Sequence, residues 1–361
     1  MRWSARSLVG VRLRIFLFRS HLRNEVTLIG IDLGKHSFHL HAQDATGRMV
    51  FRKKLSRQQL LRTLAKVPSC RVVMEACAGS HWLARQLAGM GHEPRLISPQ
   101  FVRPFVVGNK NDFGDAQAIC EAACRPSMRF VSPRNEAQQT VSAMHRLRER
   151  LVRERTATVN QIHGFLLEFG ISLPRGAALM SRLPTVLDHE TLPPRLVGLV
   201  VRLRAQVHYL EEQLRQVEQD LKAALREDDK SRRLLEIPGI GPITASALAV
   251  ELGDARQFAN ARQFAASIGL VPRQYSTGGK PTLLGISKRG DRNLRRLLVQ
   301  CARAVMQHTA SRTDALSLWV KTLSTRRHSN VVACALANKL ARIAWAVLAR
   351  GTHYQARALT T

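Results

Sequence analysis

Apolar positions recur along the chain in two rhythms. Residues 26–33, V-T-L-I-G-I-D-L, are mostly apolar, as in a buried strand. After them Phe38, Leu40 and Ala42 alternate with His39, His41 and Gln43, the period-two pattern of a second strand. Asp44-Ala45-Thr46-Gly47 has turn chemistry, and Met49 to Phe51 opens a third strand. Helices are predicted from Gln58 to Ala65, His81 to Met90 and Asp112 to about Ala123, with strands from Arg71 to Met74 and Pro94 to Ile97. The order βββ-α-β-α-β-α places residues 26–130 in the α/β class.

Beyond residue 130 the rhythm becomes helical. Residues 137–169 and 195–226 read as long helices. In the second, Leu203, Val207, Leu210, Leu214, Val217, Leu221 and Ala224 follow alternating four- and three-residue steps, a heptad seam. Pro174, Pro184, Pro193 and Pro194 are expected to break the chain between them, giving an antiparallel coiled-coil hairpin over 131–229. Packing inside one chain and pairing with a second copy both fit that seam. Residues 230–361 are predicted to be mostly α, with a glycine-rich interruption at 276–290 and a strong apolar helix from Val331 to Leu348. Residues 1–25 read as a basic, disordered extension.

Charge narrows the function. The 361 residues carry 56 Lys+Arg against 26 Asp+Glu, a net +30. Such an excess repels itself unless a polyanion shares it, so nucleic acid is the first expected partner and an acidic membrane surface the second. An ordinary metabolic enzyme acting on a neutral substrate is disfavoured. The excess is +16 over residues 230–361 and only +2 over 126–229, so the C-terminal part should supply much of the grip. Arginines interrupt the one apolar stretch near the start, which argues against a signal peptide. No later segment has about 18 uncharged apolar residues, so no membrane span is predicted and the location is read as cytoplasmic. The six cysteines contain no C-x-x-C pair and read as small core residues in a reducing compartment.

Acids are scarce, and four of them fall where a phosphodiester chemist would want them. Asp32 ends the first apolar strand in I-G-I-D-L-G-K. Glu75 ends another in V-V-M-E. Asp112 and Asp115 lie three apart at a helix start, in K-N-D-F-G-D-A, and share a face. Hard divalent cations take such oxygen ligands and hold the attacking and leaving oxygens of a phosphodiester. Taken singly, Asp32 could be a turn residue and Asp112 a helix cap. Lys35, Lys110 and Asn111 flank the acids, where the lysines would meet phosphates or simply solvent.

Two further segments carry chemistry. I-P-G-I-G-P-I-T-A, residues 237–245, resembles a helix-hairpin-helix motif, whose glycines Gly239 and Gly241 would bring backbone N–H groups to a DNA phosphate. Downstream, Ser276 and Thr277 precede Gly278, Gly279 and Lys280, with Lys288, Arg289, Arg292, Arg295 and Arg296 following. A hydroxyl on a mobile glycine loop among cations could attack a phosphodiester; a plain phosphate-binding loop is the competing reading.

The acid quartet resembles the D-E-D-D set of the ribonuclease-H/RuvC-like fold. With M-E-A-C-A-G-S, I-P-G-I-G-P-I-T-A and P-R-Q-Y-S-T-G-G-K…G-I-S-K-R-G-D in the same order, residues 27–350 resemble the DEDD transposases of insertion sequences, the one-hundred-and-ten family in its eleven-eleven subgroup. The resemblance implies Mg²⁺ (two ions, or Mn²⁺ in their place) on Asp32, Glu75, Asp112 and Asp115. It implies a serine forming a covalent link to DNA, an element-encoded bridge RNA pairing with donor and target DNA, a homo-oligomer, and a composite site assembled between subunits. The family serine precedes a glycine. Counted from Tyr275 that place is Thr277, and counted back from Ser287-Lys288 it is Ser276, the less hindered hydroxyl. A RuvC-like junction endonuclease using water, or a non-enzymatic architectural nucleic-acid-binding protein, are the alternatives.

Overall fold

The computed structural model describes residues 26–356, apart from Lys110, Arg175 and the side chain of Ala177. The basic extension read at 1–25 lies outside the described residues. The chain divides after Asn135 into two compact units.

The first unit contains β1 (Leu28–Leu33), β2 (Ser37–Gln43), β3 (Met49–Ser56), α1 (Arg57–Leu64), β4 (Arg71–Glu75), α2 (Ser80–Gly89), β5 (Glu93–Ile97), α3 (Asp112–Ala123) and β6 (Phe130–Val131). One six-stranded sheet has the order β3-β2-β1-β4-β5-β6. β1, β4 and β5 run parallel, while β2, β3 and β6 pair antiparallel to their neighbours. Alternation along the strands feeds two cores. Ile29, Ile31, Leu40, Val72 and Met74 pack on Leu60 and Leu64 of α1 and Leu83 and Leu87 of α2. On the other face Leu28, Val73 and Ile97 pack on Ile119 and Cys120 of α3. This helix-covered mixed sheet is the ribonuclease-H-like architecture expected from the βββαβαβα order. The two-residue β6 was not foreseen, because so short a strand leaves no periodic signal. Not every cysteine is a core residue: Cys120 is buried, whereas Cys124 caps the end of α3 and is exposed.

The second unit is largely helical: α4 (Glu136–Leu167), α5 (Ala177–His189), α6 (Pro194–Glu227), α7 (Asp229–Leu235), α8 (Pro242–Leu252), α9 (Ala261–Ser267), the strands β7 (Pro272–Thr277) and β8 (Lys280–Ile286), then α10 (Arg292–Gln307), α11 (Ala315–Ser324) and α12 (Ser329–Arg350). The seam of α6 is real. Val207, Leu210, Leu214, Val217 and Leu221 are buried, with Leu225 rather than Ala224 closing it. Its partners are in the same chain: Leu151 beside Leu210 to Leu221, and Ile162 and Leu166 beside Val200 and Val207. The seam is therefore spent on an intramolecular hairpin.

Two expectations need correction. Pro184 does not break the chain; it lies inside α5. Leu179 and Leu183 of that helix are fully buried against α4 and α6. Burying two leucines stabilises by roughly 3–6 kcal/mol, enough to offset the ~3 kcal/mol of an interior proline. Residues 276–286 are not an open loop, since β7 and β8 pair as a hairpin, and only 287–290 stay irregular. α12 has the length and apolarity to cross a membrane, with mean hydropathy 1.6 over its best window. Its Val332, Leu336, Ala337, Leu340, Ala341 and Ala344 are instead the centre of the C-terminal core, and half of that window is buried.

One buried polar pair links α4 to α8. His145 Nε2 lies 3.0 Å from Ser246 Oγ, and Ser246 donates to the Ile243 carbonyl. The other ring nitrogen of His145 has no hydrogen-bond partner among the described residues. Burial, then the charge of Arg148, pushes His145 down to about 4. The unfolded chain takes up this proton near the ordinary value of 6.5 and the folded chain only near 4, so the fold loses stability as pH falls through that window. We expect a loss of about 3 kcal/mol from this group between those limits. Denaturant melts at stepped pH should show a shallower decline for His145→Gln than for the native chain.

Candidate active site

The acidic site is built on the α3 face of the sheet. Gly30, two residues before Asp32, faces that helix, and a Cβ there would stand 2.3 Å from the Ala116 carbonyl oxygen and 2.7 Å from Cys120 Sγ. Only a residue without a side chain allows β1 and α3 to come this close. The approach sets the start of α3 beside the end of β1. Asn111, not Asp112, caps α3: its side-chain oxygen accepts from Phe113 N at 3.0 Å. Asp112 and Asp115 occupy the first turn, where the helix dipole favours negative charge.

Asp32 and Glu75 enter from neighbouring strands. Ile31 pairs with Met74, so the two acids sit one step further on, at the carboxyl ends of β1 and β4. Burial raises the Glu75 carboxyl above its usual range, and the charges of Asp32 and Asp115 raise it further. Asp32, Asp112 and His39 each offer a ligand atom, all within 4.8 Å of one another. All four predicted acids are thus brought to one end of the sheet. Lys35 is exposed in the β1–β2 turn. Lys110 lies outside the described residues.

His39 was missed at the sequence level. The strand pattern was visible, but the pairing that puts His39 directly opposite Asp32 is a matter of register. The short turn from Leu33 to Ser37 was the available signal, since it fixes that register. His39 is 4% exposed, its Nδ1 is 3.5 Å from Asp112 Oδ2, and its ring meets the Phe113 ring edge-on at 4.9 Å.

In the second unit, Ser276 and Thr277 stand at the end of β7. Thr277 pairs with Lys280 across a two-residue turn of Gly278 and Gly279, both with positive φ, 55° and 76°. That is the turn type whose twist matches a hairpin. The ribbon is exposed except at Ile286, which packs on the C-terminal core, and Gln274 Nε2 donates to Ser276 Oγ at 2.7 Å. Lys280, Lys288, Arg289, Arg292 and Arg296 are exposed nearby in sequence. Arg295 is engaged internally, donating to the carbonyls of Ile268 and Arg289. In the α7–α8 connection, Gly241 precedes Pro242 with open space around it. A Cβ on Gly239 would instead stand 2.4 Å from Val305 Cγ2 and 2.9 Å from the Cys301 carbonyl of α10.

Comparison with known proteins places these features. A transposase profile for the DEDD domain of the IS110 group matches residues 29–171, and the Transposase IS116/IS110/IS902 family matches residues 231–317. The transposase for insertion sequence element IS1328 of Yersinia enterocolitica is 61% identical over 91% of this chain and 98% of that protein. The transposase for insertion sequence element IS1111A of Coxiella burnetii is 42% identical over 95% of each chain. The chain belongs to the IS110 transposase family. It is a DNA phosphotransfer enzyme of an insertion sequence, and DNA is its partner.

In this transposase the donor set suits a divalent cation. A positive ion among the acids would relieve the burial and neighbouring charges that raise the Glu75 carboxyl. When bound, such an ion supplies charge stabilisation at the phosphoryl oxygens. The scaffold beneath it is testable at Gly30. Gly30→Ala should destabilise the fold by about 1–3 kcal/mol, because helix or strand must move, and should lower DNA cleavage with it. Gly114→Ala, whose Cβ would meet only Asn111 Cβ at 3.7 Å, should be neutral or stabilising by about 0.5–1 kcal/mol. Thermal unfolding of both variants checks the contrast.

Proposed function

We propose that this transposase cuts and rejoins DNA through a covalent serine intermediate, guided by a bridge RNA encoded by its own element. The convergence of Asp32, Glu75, Asp112 and Asp115 on one end of the sheet carries the reading. These four would hold Mg²⁺, two ions being the usual need of in-line phosphoryl transfer. In the strand-cutting step the Ser276 Oγ–phosphorus bond forms and the bond from phosphorus to one bridging sugar oxygen breaks. The serine proton goes to solvent, and the leaving sugar oxygen takes up a proton. Rejoining reverses the exchange with a different sugar hydroxyl, so no external energy source is needed. Lys280, Lys288, Arg289, Arg292 and Arg296 would balance the phosphate charge.

The exposed ribbon supports a nucleophile that must reach into DNA. Ser276 is preferred to Thr277 because the threonine methyl crowds its oxygen. Support for the RNA comes from the motif resemblance together with the +16 charge of residues 230–361. Action as a dimer or tetramer at the bacterial nucleoid belongs to the same reading, although the α6 seam does not contribute to it. The division of labour we propose is acid chemistry in 26–130, a spacing hairpin in 131–229 and DNA holding in 230–361.

Trapping tests the proposal. Full-length protein with element-end DNA, its guide RNA and Mg²⁺ should yield a denaturation-resistant protein–DNA adduct. Ser276→Ala should abolish the adduct and Thr277→Ala should not. Loss only in Thr277→Ala moves the nucleophile by one residue. Cleavage without any adduct would overturn the covalent step in favour of a water-using nuclease.

A further inference from the structure

We infer that His39 is a ligand of the metal centre, so that the site offers an Asp–His–Asp donor set and takes Mn²⁺ ahead of Mg²⁺. The inference rests on the proposed reading that the acids hold a divalent cation, and it adds a nitrogen donor that the four-acid motif does not contain.

Three observations converge on His39. It stands directly opposite Asp32 in the antiparallel β1–β2 pair, so both side chains project from the same sheet face toward the start of α3. Its ring is buried, at 4% exposure, yet its Nδ1 is turned to Asp112, a carboxylate that is 53% exposed. The 3.5 Å separation is too long for a good hydrogen bond, so contact with Asp112 alone does not account for burying the imidazole there. Its ligand atom and those of Asp32 and Asp112 lie within 4.8 Å of one another. Ligands on an octahedral ion with bonds near 2.1 Å sit roughly 3–4.2 Å apart, so small side-chain rotations bring all three onto one ion. The edge-on contact with Phe113 holds the ring plane in place.

The choice of ion follows from the donors. Mg²⁺ prefers oxygen and gives up water reluctantly. An imidazole nitrogen is a softer donor, and first-row transition ions accept it readily. Mn²⁺ accepts both carboxylate and imidazole. The same three residues therefore shift preference toward Mn²⁺ without changing the carboxylate scaffold.

Mn²⁺ itself is the probe. Electron spin-echo spectroscopy of Mn²⁺ bound to the full-length protein should show coupling to an imidazole nitrogen. The chain has 13 histidines, so His39→Gln assigns the signal: the coupling should vanish and the Mn²⁺ dissociation constant should rise about tenfold or more. The Mg²⁺ constant should change less. Wild-type protein that binds Mn²⁺ without nitrogen coupling overturns the inference, and that spectrum needs no variant to fold. Coupling that persists in His39→Gln also overturns it. Asp32→Asn separates this from the underlying reading. Mn²⁺ binding that is unchanged in Asp32→Asn means the acids are not the metal site. Binding lost there, with no nitrogen coupling in the wild type, leaves the acid site standing and removes only His39.

Discussion

The contact on which the catalytic unit depends is the approach of α3 to β1 at Gly30. The acids come from three separate elements, and no local rule brings them together. β1 and β4 share a register, which handles Asp32 and Glu75. The helix acids are brought in only because the axis of α3 lies against the strand with no side chain between them. An added Cβ would overlap the Ala116 carbonyl and the Cys120 sulfur, so the helix could not simply slide; one of two packed backbones would have to give. Cys120 reinforces the approach from the helix side, its thiol donating to the His41 carbonyl at 3.3 Å. Burial pushes that thiol up to about 12, which keeps it protonated and able to donate.

Electrostatically the arrangement is costly before a cation arrives. Four carboxylates share one end of the sheet, and half-buried Glu75 has its proton affinity raised by burial and by its neighbours. The dipole of α3 offsets part of this, since Asp112 and Asp115 sit on its positive end. That effect is worth a few tenths to one kcal/mol per charge, well short of neutralising four acids. Against that cost the described residues set His39, packed beside Asp112.

The strand and helix order, the quartet and the long hairpin were legible because each is written in periodicity or local spacing. What the sequence hid was register and tertiary contact. His39 looked like one polar position of an alternating strand, and only its pairing with Asp32 turns it into a site residue. Pro184 looked like a terminator because its local cost is plain, whereas the burial of Leu179 and Leu183 that outweighs it is not. Gly239 reads from sequence as a phosphate contact, and the structure adds two local demands for glycine there, a φ of 78° and the close approach of α10. In α12 apolar composition alone matched two environments, and the neighbouring helices decided between them.

The hairpin at 272–286 changes how the two candidate hydroxyls must be weighed. In a loop, Ser276 and Thr277 could exchange places by a small backbone rotation. On a paired strand, successive side chains point to opposite faces, so the two hydroxyls look in opposite directions. Ser276 shares its face with Gln274, which donates to its oxygen and leaves its own proton free to depart. Thr277 lies on the face of Tyr275 and directly opposite Lys280. A DNA strand laid on one face of the ribbon can meet only one of them. On the proposed covalent step, choosing between the two hydroxyls is therefore also choosing which face of the ribbon would meet DNA: the Gln274 face with Ser276, or the Tyr275–Lys280 face with Thr277.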